Sequence, residues 1–283
     1  MMPAILFSSR SEIDENIASH NAAKELIPMG FEPDGEGKWK YGSAKLIDTK
    51  FDRALNVPTS YEGDYFIVLS PHKSEMKLQS LTAHIPGNWD AAEHGGSPRT
   101  LNISFASRQR FLLASLFEKN KKYGLGFNVN YEVDHHGPTP WGAPGSSRFP
   151  VSGSGQAPGK PIIFLEIGSS AGEWKNPLAA KIIAESVFAL LDFNESCESY
   201  FGIGGGHYAP VFTKCALEKG MAFGHMLPKY RADSLAEDTF RQALERNVEQ
   251  PKAIMLDKKG VNAEQRAKVE NLASEFGAEI VRV

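Results

Sequence analysis

The sequence contains very little cysteine: only Cys197 and Cys215 occur among its 283 residues. Two cysteines at this spacing form neither a disulfide framework nor the CxxC ligand pairs of a metal knuckle. Proteins without structural disulfides are typical of a reducing compartment. The sequence therefore predicts a cytoplasmic protein.

Long hydrophobic runs are also absent. No apolar stretch approaches the roughly 20 residues that a membrane-spanning helix needs. The first 15 residues contain only a short apolar run with no basic region before it, so they do not resemble a secretory signal. We expect a soluble protein that has no membrane partner.

An excess of positive charge is the third feature that the chain lacks. Its formal net charge is −3, whereas nucleic-acid-binding domains are usually basic. Local basic groups do occur, and each is more typical of a solvated face than of a phosphate-binding surface. They consist of Lys38, Lys40, Lys45, Lys50 and Arg53, and of Arg108, Arg110, Lys119, Lys121 and Lys122.

Strand and helix patterns alternate along the whole chain, without an internal repeat. Alternation of this kind predicts an α/β fold, here a mixed, largely parallel sheet with helices on both faces. The continuous apolar run at 65–69 is typical of a central strand that is covered on both faces, and 161–167, apolar except for Glu166, is predicted to be a second buried strand. Residues 127–133 alternate apolar and polar side chains, as a half-buried strand does.

We predict a single domain over residues 1–283, interrupted by one long loop. Residues 139–160 consist largely of glycine, proline and serine, with Trp141 among them. Such a composition does not order itself independently. Two interpretations remain open, a lid over a functional site and a surface insertion.

Histidines follow the predicted strands closely. Six of the eight lie at strand ends or in turns, namely His72, His84, His135, His136, His207 and His225. We expect them to converge on one edge of the sheet, near Glu132, Asp134 and Glu166. Imidazole nitrogen and carboxylate oxygen are zinc ligands, although no regular HExxH motif is present. The alternative is metal-free acid–base chemistry by one histidine oriented by one carboxylate.

The adjacent His135 and His136 need a special backbone to share one site. Neighbouring residues on a strand point to opposite faces, so both imidazoles serve one site only if the chain turns there. Gly137 and Pro138 predict such a turn. Glu166 lies within an apolar strand, where a carboxylate requires a partner.

The glycine run Gly204, Gly205 and Gly206 precedes His207. Consecutive glycines allow the backbone to approach a ligand or to expose N–H groups to an anion, and their other role is a tight turn. The spacing matches neither a dinucleotide-binding nor a P-loop fingerprint.

Five ordered motifs carry a family resemblance. They are LTAHIPGN at 81–88, HHGPT at 135–139, FLEIGS at 164–169 followed by Glu173 and Trp174, GIGGGHYAP at 202–210 and GHMLPKY at 224–230. Together they resemble the D-aminoacyl-tRNA deacylases of archaeal and plant type. The resemblance implies a fold similar to peptidyl-tRNA hydrolase and nucleoside phosphorylases. It also implies a usually monomeric, zinc-dependent hydrolase that releases D-amino acids from mischarged tRNA.

The chain departs from the family pattern in two places. The segment between His136 and Phe164 is longer than the family pattern leads us to expect, and Asp134 is not a position associated with its motif. The first departure concerns the shape of the substrate mouth, and the second concerns the ligand set.

On this resemblance we expect zinc-activated hydrolysis of the ester at the tRNA acceptor end. The expected catalytic residues are His135, His136 and His207, with Glu166 or Glu132 as base or orienting group. Gly204 to Gly206 would hold the oxyanion or terminal phosphate, and Trp89, Trp141 or Tyr208 would stack on the terminal adenine. One or two zinc ions would take ligands from His135, His136, His207, His84, His72 and His225.

Two other functions fit the same residues. A metal-dependent amidase or peptidase acting on a small substrate would need the histidines but no basic rim. A phosphorylase-like nucleoside enzyme would use the glycine run to bind phosphate.

Overall fold

The computed structural model describes residues 1–10, 12–52, 61–75, 77–137 and 159–283. Most of the predicted loop at 139–160, including Trp141, lies outside the described residues. Pro138, part of the predicted turn after His136, also lies outside them. Within the described residues the chain forms a mixed α/β structure with a large, mostly parallel sheet, which confirms the predicted fold class.

Fourteen strands and seven α-helices are formed by the described residues. The strands are β1 (Pro3–Phe7), β2 (Glu32–Pro33), β3 (Lys38–Tyr41), β4 (Ala44–Asp48), β5 (Tyr65–Lys73), β6 (Ser80–His84), β7 (Gly87–Asn88), β8 (Thr100–Leu101), β9 (Asn128–Tyr131), β10 (Ile162–Ser169), β11 (Ser199–Ile203), β12 (Ala222–Leu227), β13 (Pro251–Leu256) and β14 (Ile280–Arg282). The helices are α1 (Ile17–Leu26), α2 (Ala106–Tyr123), α3 (Ala171–Trp174), α4 (Pro177–Leu190), α5 (Pro210–Lys219), α6 (Glu237–Glu245) and α7 (Ala263–Glu275).

The large sheet has eight strands in the order β2-β3-β4-β1-β5-β10-β6-β9. Its centre is parallel, because β4, β1, β5 and β10 all run in one direction. Strand β6 pairs with β10 in the antiparallel sense, and β9 runs parallel to β6. Strands β9 and β10, which flank the 139–160 segment, therefore belong to one sheet, as the sequence suggested.

Helices α1, α2 and α4 cover one face of this sheet and form the main core with it. On β10, Leu165 and Ile167 belong to that core, whereas Phe164 lies on the opposite face with a smaller cluster. Since side chains alternate along a strand, Glu166 shares the face of Phe164. A carboxylate is therefore accommodated within an apolar strand because it points away from the helices.

A second sheet of four parallel strands follows in the order β12-β11-β13-β14. Helices α6 and α7 pack against it around Phe201, Ile254 and Phe240, all fully buried. The strands β7 and β8 form a separate short ribbon.

The start of α6 differs from the prediction. The sequence SLAE at 234–237 is typical of a capping box and predicts a helix from Ser234 to about Asn247, but the helix spans Glu237–Glu245 and follows Ala236. The Ser234 hydroxyl instead donates to Asp90 and to the carbonyl of Arg231, which occupies it away from the helix end. By contrast, Asn176 and Asn262 are residues of a type that favours helix starts, and both accept backbone N–H bonds at the starts of α4 and α7.

Among the residues that the structure describes, no helix is both long enough and apolar enough to cross a lipid bilayer.

Candidate active site

The site is built around Glu132, whose side chain is completely buried. Its Oε1 lies 3.3 Å from Nδ1 of His72. Its Oε2 lies 3.5 Å from Nδ1 of His84, 3.5 Å from Nε2 of His135 and 3.6 Å from Nε2 of His207. One carboxylate thus faces four imidazoles that come from four separate parts of the chain.

A second carboxylate, Glu166, lies beside the first. Its Oε2 is 3.2 Å from Nδ1 of His72, and its Oε1 accepts a hydrogen bond of 2.6 Å from the Ser70 hydroxyl. Nε2 of His72 lies 3.1 Å from the Tyr208 hydroxyl. His72 is therefore held between two acids and a tyrosine.

The third part of the site is a group of imidazoles. Nε2 of His84 lies 3.0 Å from Nε2 of His136, and the rings of His84 and His135 are stacked with centroids 4.3 Å apart. Nδ1 of His135 is 2.7 Å from the carbonyl of Val133, and Nδ1 of His136 contacts the carbonyl of Gly137. These carbonyl contacts favour an N–H at Nδ1 of both rings, so that each Nε2 carries a lone pair that can coordinate a ligand.

The segment after β9 delivers these residues because it runs between the two sheets. The N–H of Val133 donates to the carbonyl of His207, and that of Asp134 donates to Met226 in β12. His135 then forms a β-bridge with Pro86. The predicted turn occurs at His136 itself, whose φ is +50°, and this turn brings both imidazoles to one site.

The histidines do not converge on an edge of the sheet, contrary to the prediction. Strands β6 and β9 run in the direction opposite to β5 and β10. The carboxyl ends of β6 and β9 therefore lie at the other end of the sheet from the carboxyl end of β5. On β5, β6 and β10 the site residues occupy alternate positions, so they gather over one face of the large sheet. His207 reaches this face from the loop that follows β11 in the second sheet.

Burial and neighbouring charges shift the pKa values within the cluster. Burial, together with the nearby imidazoles, lowers the pKa of His84 and His135 well below its ordinary value, and burial lowers that of His136 to about 4. Burial also opposes the protonation of His72, yet the Glu132 and Glu166 carboxylates raise the pKa of His72 to about 10. Burial raises the pKa of Glu166.

The donor set fits a divalent cation. Three buried atoms of the site have no hydrogen-bond partner within the described residues. They are the two carboxylate oxygens of Glu132 and Nδ1 of His84. A buried anion is costly unless a cation or donor faces it. Protonated His72 supplies that charge in the metal-free protein, and a bound divalent cation would supply it instead. Three groups hold ligand atoms within 4.8 Å of one another: His84, His135 and His136; His72, Glu132 and His207; His84, Glu132 and Glu166.

A cavity of about 500 Å³ connects this cluster with the surface. This volume suits a small ligand or the terminus of a larger one. Its wall includes His72, His135, His136, Glu166 and His207, and its outer part is polar. The outer residues include Lys73, Asp90, Glu93, His94, Tyr230 and Arg231.

Two of the predicted site residues have other roles, namely His225 and Trp89. His225 is buried in β12, with its two ring nitrogens bonded to Asp134 and to the carbonyl of Arg246, so it has no nitrogen left for an ion. Trp89 stacks on Phe201 and is only 2% exposed, which leaves no face for a base. Tyr208, in contrast, is at the site and half-buried.

The glycine run has a packing role. The N–H of Gly204 donates to Leu227, and that of Gly205 donates to Gly260, so two of the three expected anion-binding groups are already bonded. Gly204 and Gly205 have φ values of +116° and +78°, which other residues rarely adopt. The run therefore forms the turn that places His207. These bonds also weaken the phosphorylase interpretation.

Two residues of the site were not assigned from the sequence. Ser70 binds Glu166 across the β5–β10 register, and the hydroxyl of Tyr230 lies 3.4 Å from Nδ1 of His207. Tyr230 is 54% exposed at the cavity. Both residues had a signal in the sequence, since Ser70 lies at the end of an apolar strand and Tyr230 ends the 224–230 motif. Their partners became visible only in the folded structure.

A family model described as D-aminoacyl-tRNA deacylase matches residues 59–281. A protein of Pyrococcus furiosus with that name is 38% identical over 82% of this chain and 78% of its own length. Its namesake in Pyrococcus horikoshii is 36% identical over 94% of this chain and 96% of its own length.

A solved structure described as a conserved protein of unknown function shares the fold. Its TM-score is 0.83 at 24% identity, and the match covers 99% of this chain and 95% of the other. The sequence matches span most of the chain, and the range of the family model, 59–281, contains the positions of the whole cluster around Glu132. The protein therefore belongs to the D-aminoacyl-tRNA deacylase family, a family of hydrolases.

Proposed function

We propose that this protein hydrolyses the ester bond of D-aminoacyl-tRNA with the help of zinc, releasing the D-amino acid and the tRNA. The observation that carries the zinc part is Glu132, a fully buried carboxylate that faces four imidazoles and receives no hydrogen bond within the described residues. The names of the relatives support the substrate.

Two of the ligand sets share no residue. His72, Glu132 and His207 form one, and His84, His135 and His136 form the other. The cluster thus has donors for one zinc ion or for two. When bound, zinc supplies a water of lowered pKa and polarises the ester carbonyl.

Glu166 is the best base in the cavity wall. Burial raises the pKa of its carboxyl group, which suits a group that takes a proton and returns it near neutral pH. We assign Glu166 Oε2 to accept a proton from the attacking water. The same proton is then returned to the ribose oxygen as the ester bond breaks, so the acid–base cycle closes.

We assign Tyr208 the role of stabilising the developing oxyanion. Its hydroxyl oxygen lies 3.1 Å from His72 Nε2, and when that nitrogen donates, the hydroxyl proton remains available to the ester oxygen. A preoriented donor of this kind stabilises the tetrahedral intermediate more than the ground state. Tyr208 thereby replaces the glycine N–H groups in this role.

Tyr230 replaces Trp89 as the aromatic residue for the terminal adenine. Both residues line the cavity, but Tyr230 is 54% exposed, whereas Trp89 is 2% exposed and packs in the core. Single-stranded RNA ends are held by stacking on such aromatic faces.

The proposal is tested by incubating the protein with D- and L-aminoacyl-tRNA carrying the same amino acid, with and without a chelator. We expect preferential hydrolysis of the D form, loss of activity after chelation and recovery with zinc. The variant Glu132→Gln should be inactive, whereas Glu218→Gln, which changes an exposed acid on α5, should behave like the wild type. Absence of D-ester hydrolysis would refute the substrate, and full activity after chelation would refute the role of zinc.

A further inference from the structure

One edge of the second sheet continues the wall of the cavity. Strands β11, β12 and β13 are neighbouring and parallel, so their carboxyl ends meet at the same edge. The loop after β11 carries His207 and the loop after β12 carries Tyr230, and both residues line the cavity. The loop after β13 begins at the same edge, which is the edge where parallel sheets commonly bind ligands.

These three loops are bonded to one another. The N–H of Gly205 donates to Gly260 over 3.2 Å, and the N–H of Lys229 donates to Gly205 over 2.9 Å. The loops also approach closely, since a Cβ atom added to Gly260 would lie 2.2 Å from the nitrogen of Gly205. The backbone positions from which the side chains of these loops project are therefore fixed relative to His207.

Five cations project from this region, and we call them the lysine edge: Lys229, Lys258, Lys259, Arg266 and Lys268. Lys229, Lys258 and Lys259 are exposed, and no ion pair within the described ranges includes any of the five. Arg266 and Lys268 donate to the backbone carbonyls of Lys258 and Asp233, which leaves their charge uncompensated.

Few acids oppose these cations. The carboxylates of the same loops and of the first turn of α7 are Asp233, Asp257 and Glu264. Asp257 is 7% exposed and its Oδ1 accepts the N–H of Lys259, while Oδ1 of Asp233 accepts from Gln265. Elsewhere many lysines are neutralised, as Lys73 is by Glu15 and Lys252 is by Glu198.

We propose that the lysine edge binds the phosphates of the acceptor stem whose aminoacyl end enters the cavity. The inference rests on the proposed function. If the ester at the end of the RNA chain lies in the cavity, the adjacent phosphates lie outside it, at the cavity mouth beside Tyr230. Exposed, unpaired ammonium groups on rigid loops bind phosphate without reading sequence. A local edge of this kind also explains how a chain of net charge −3 binds RNA.

The test is equilibrium binding of uncharged tRNA and of an acceptor-stem minihelix over a range of salt concentrations. The patch variant is Lys258→Ala with Lys259→Ala. Its matched control is Lys24→Ala with Lys121→Ala, two exposed lysines on α1 and α2, on the helical face of the large sheet. We expect the patch variant to weaken binding roughly tenfold and to reduce the salt slope by about one unit per lost contact. The control should bind like the wild type.

Further variants separate charge from folding. The single variant Lys258→Arg keeps the charge and should retain binding, whereas the single variant Lys229→Ala should weaken it. The melting temperatures of all variants should remain similar because the side chains are exposed. Equal binding by the patch variant and the control would overturn the inference, and so would a wild type that does not bind either RNA. If RNA binds through the lysine edge but D-aminoacyl-tRNA is not hydrolysed, the proposed function fails and the binding surface stands.

Discussion

Nδ1 of His225 lies 2.6 Å from Oδ2 of Asp134, and both side chains are completely buried. The other oxygen of Asp134 accepts the N–H of Met226 over 2.9 Å, and Nε2 of His225 lies 3.0 Å from the carbonyl of Arg246. This pair fastens the segment that carries His135 and His136 to the second sheet. The residue that departs from the family motif therefore positions the imidazoles instead of binding an ion.

Replacing Asp134 by alanine should destabilise the protein by about 3–5 kcal/mol, because it leaves His225 and the N–H of Met226 buried without an acceptor. Asp134→Asn should cost much less, since an amide oxygen still accepts from Met226 and its NH₂ group donates to His225 in the other tautomer. Urea unfolding measures both values. Similar losses for the two variants would show that the hydrogen bonds are not responsible.

Replacing Glu132 by glutamine should lower zinc affinity by more than about tenfold. The amide has the same shape but no negative charge, and its NH₂ group cannot be a ligand. Metal analysis after dialysis, together with the deacylation rate, measures the effect. A variant that retains the wild-type zinc content would show that Glu132 is not a ligand.

Removing the metal should also lower stability. A ligand that binds only the folded state at 100 times its dissociation constant contributes about 2.7 kcal/mol. We expect a chelator to lower the melting temperature and added zinc to restore it. The double variant His84→Ala with His207→Ala, which removes one ligand from each set, should melt at the same temperature with and without zinc.

In the metal-free protein, stability should decrease on both sides of neutral pH. Burial holds the pKa of His136 at about 4 in the folded state, against an ordinary value of 6.5. Below pH 6.5 the unfolded chain therefore binds a proton that the folded chain does not, which costs about 3 kcal/mol by pH 4. His72 has the opposite sign: its folded pKa of about 10 contributes stability that is lost as pH rises from 6.5 through 10.

Unfolding curves recorded between pH 4 and pH 10 in the presence of chelator check this dependence. The variant His136→Gln should flatten the acidic side, because it removes the imidazole whose pKa burial lowers to about 4 in the folded protein. A wild-type stability that is constant from pH 4 to pH 7 would contradict the burial of a neutral His136.

Tyr230→Ala should raise KM for D-aminoacyl-tRNA because it removes a stacking surface worth about 1–3 kcal/mol per base. Tyr230→Phe keeps the aromatic face and should keep most of the affinity. Trp89→Phe should act on stability through its contact with Phe201, with KM unchanged. If Tyr230→Ala leaves KM unchanged, the adenine is held elsewhere.

Local patterns were sufficient for much of the architecture. The apolar runs at 65–69 and 161–167 became the central strands β5 and β10, and Asn176 with Pro177 marked the start of α4. These features depend on residues that are close in sequence, so the sequence itself shows the local preferences for a strand or a helix start. The capping of α6 was not predictable, because Ser234 is taken by the distant Asp90.

The same division applies to the candidate site. Sequence indicated that His72, His84, His135, His136 and His207 belong together with Glu132 and Glu166. It also assigned His225 and Trp89 to the site. The sequence does not show that the imidazole of His225 is bonded to Asp134 or that the indole of Trp89 stacks on Phe201. Exposure and the direction of a side chain are properties of the packed molecule.

By itself, the sequence determined the fold class, the family and the presence of an imidazole–carboxylate cluster. Periodicity, caps and motifs are patterns of residues that are close in sequence, so they can be recognised without the structure. Only the tertiary structure decided that Glu132 is the common centre and that the cluster lies on a face of the sheet. The antiparallel entry of β6 and the turn at His136 bring residues from distant parts of the chain within 4 Å of one carboxylate. Such distances depend on strand direction and register, which no local pattern specifies.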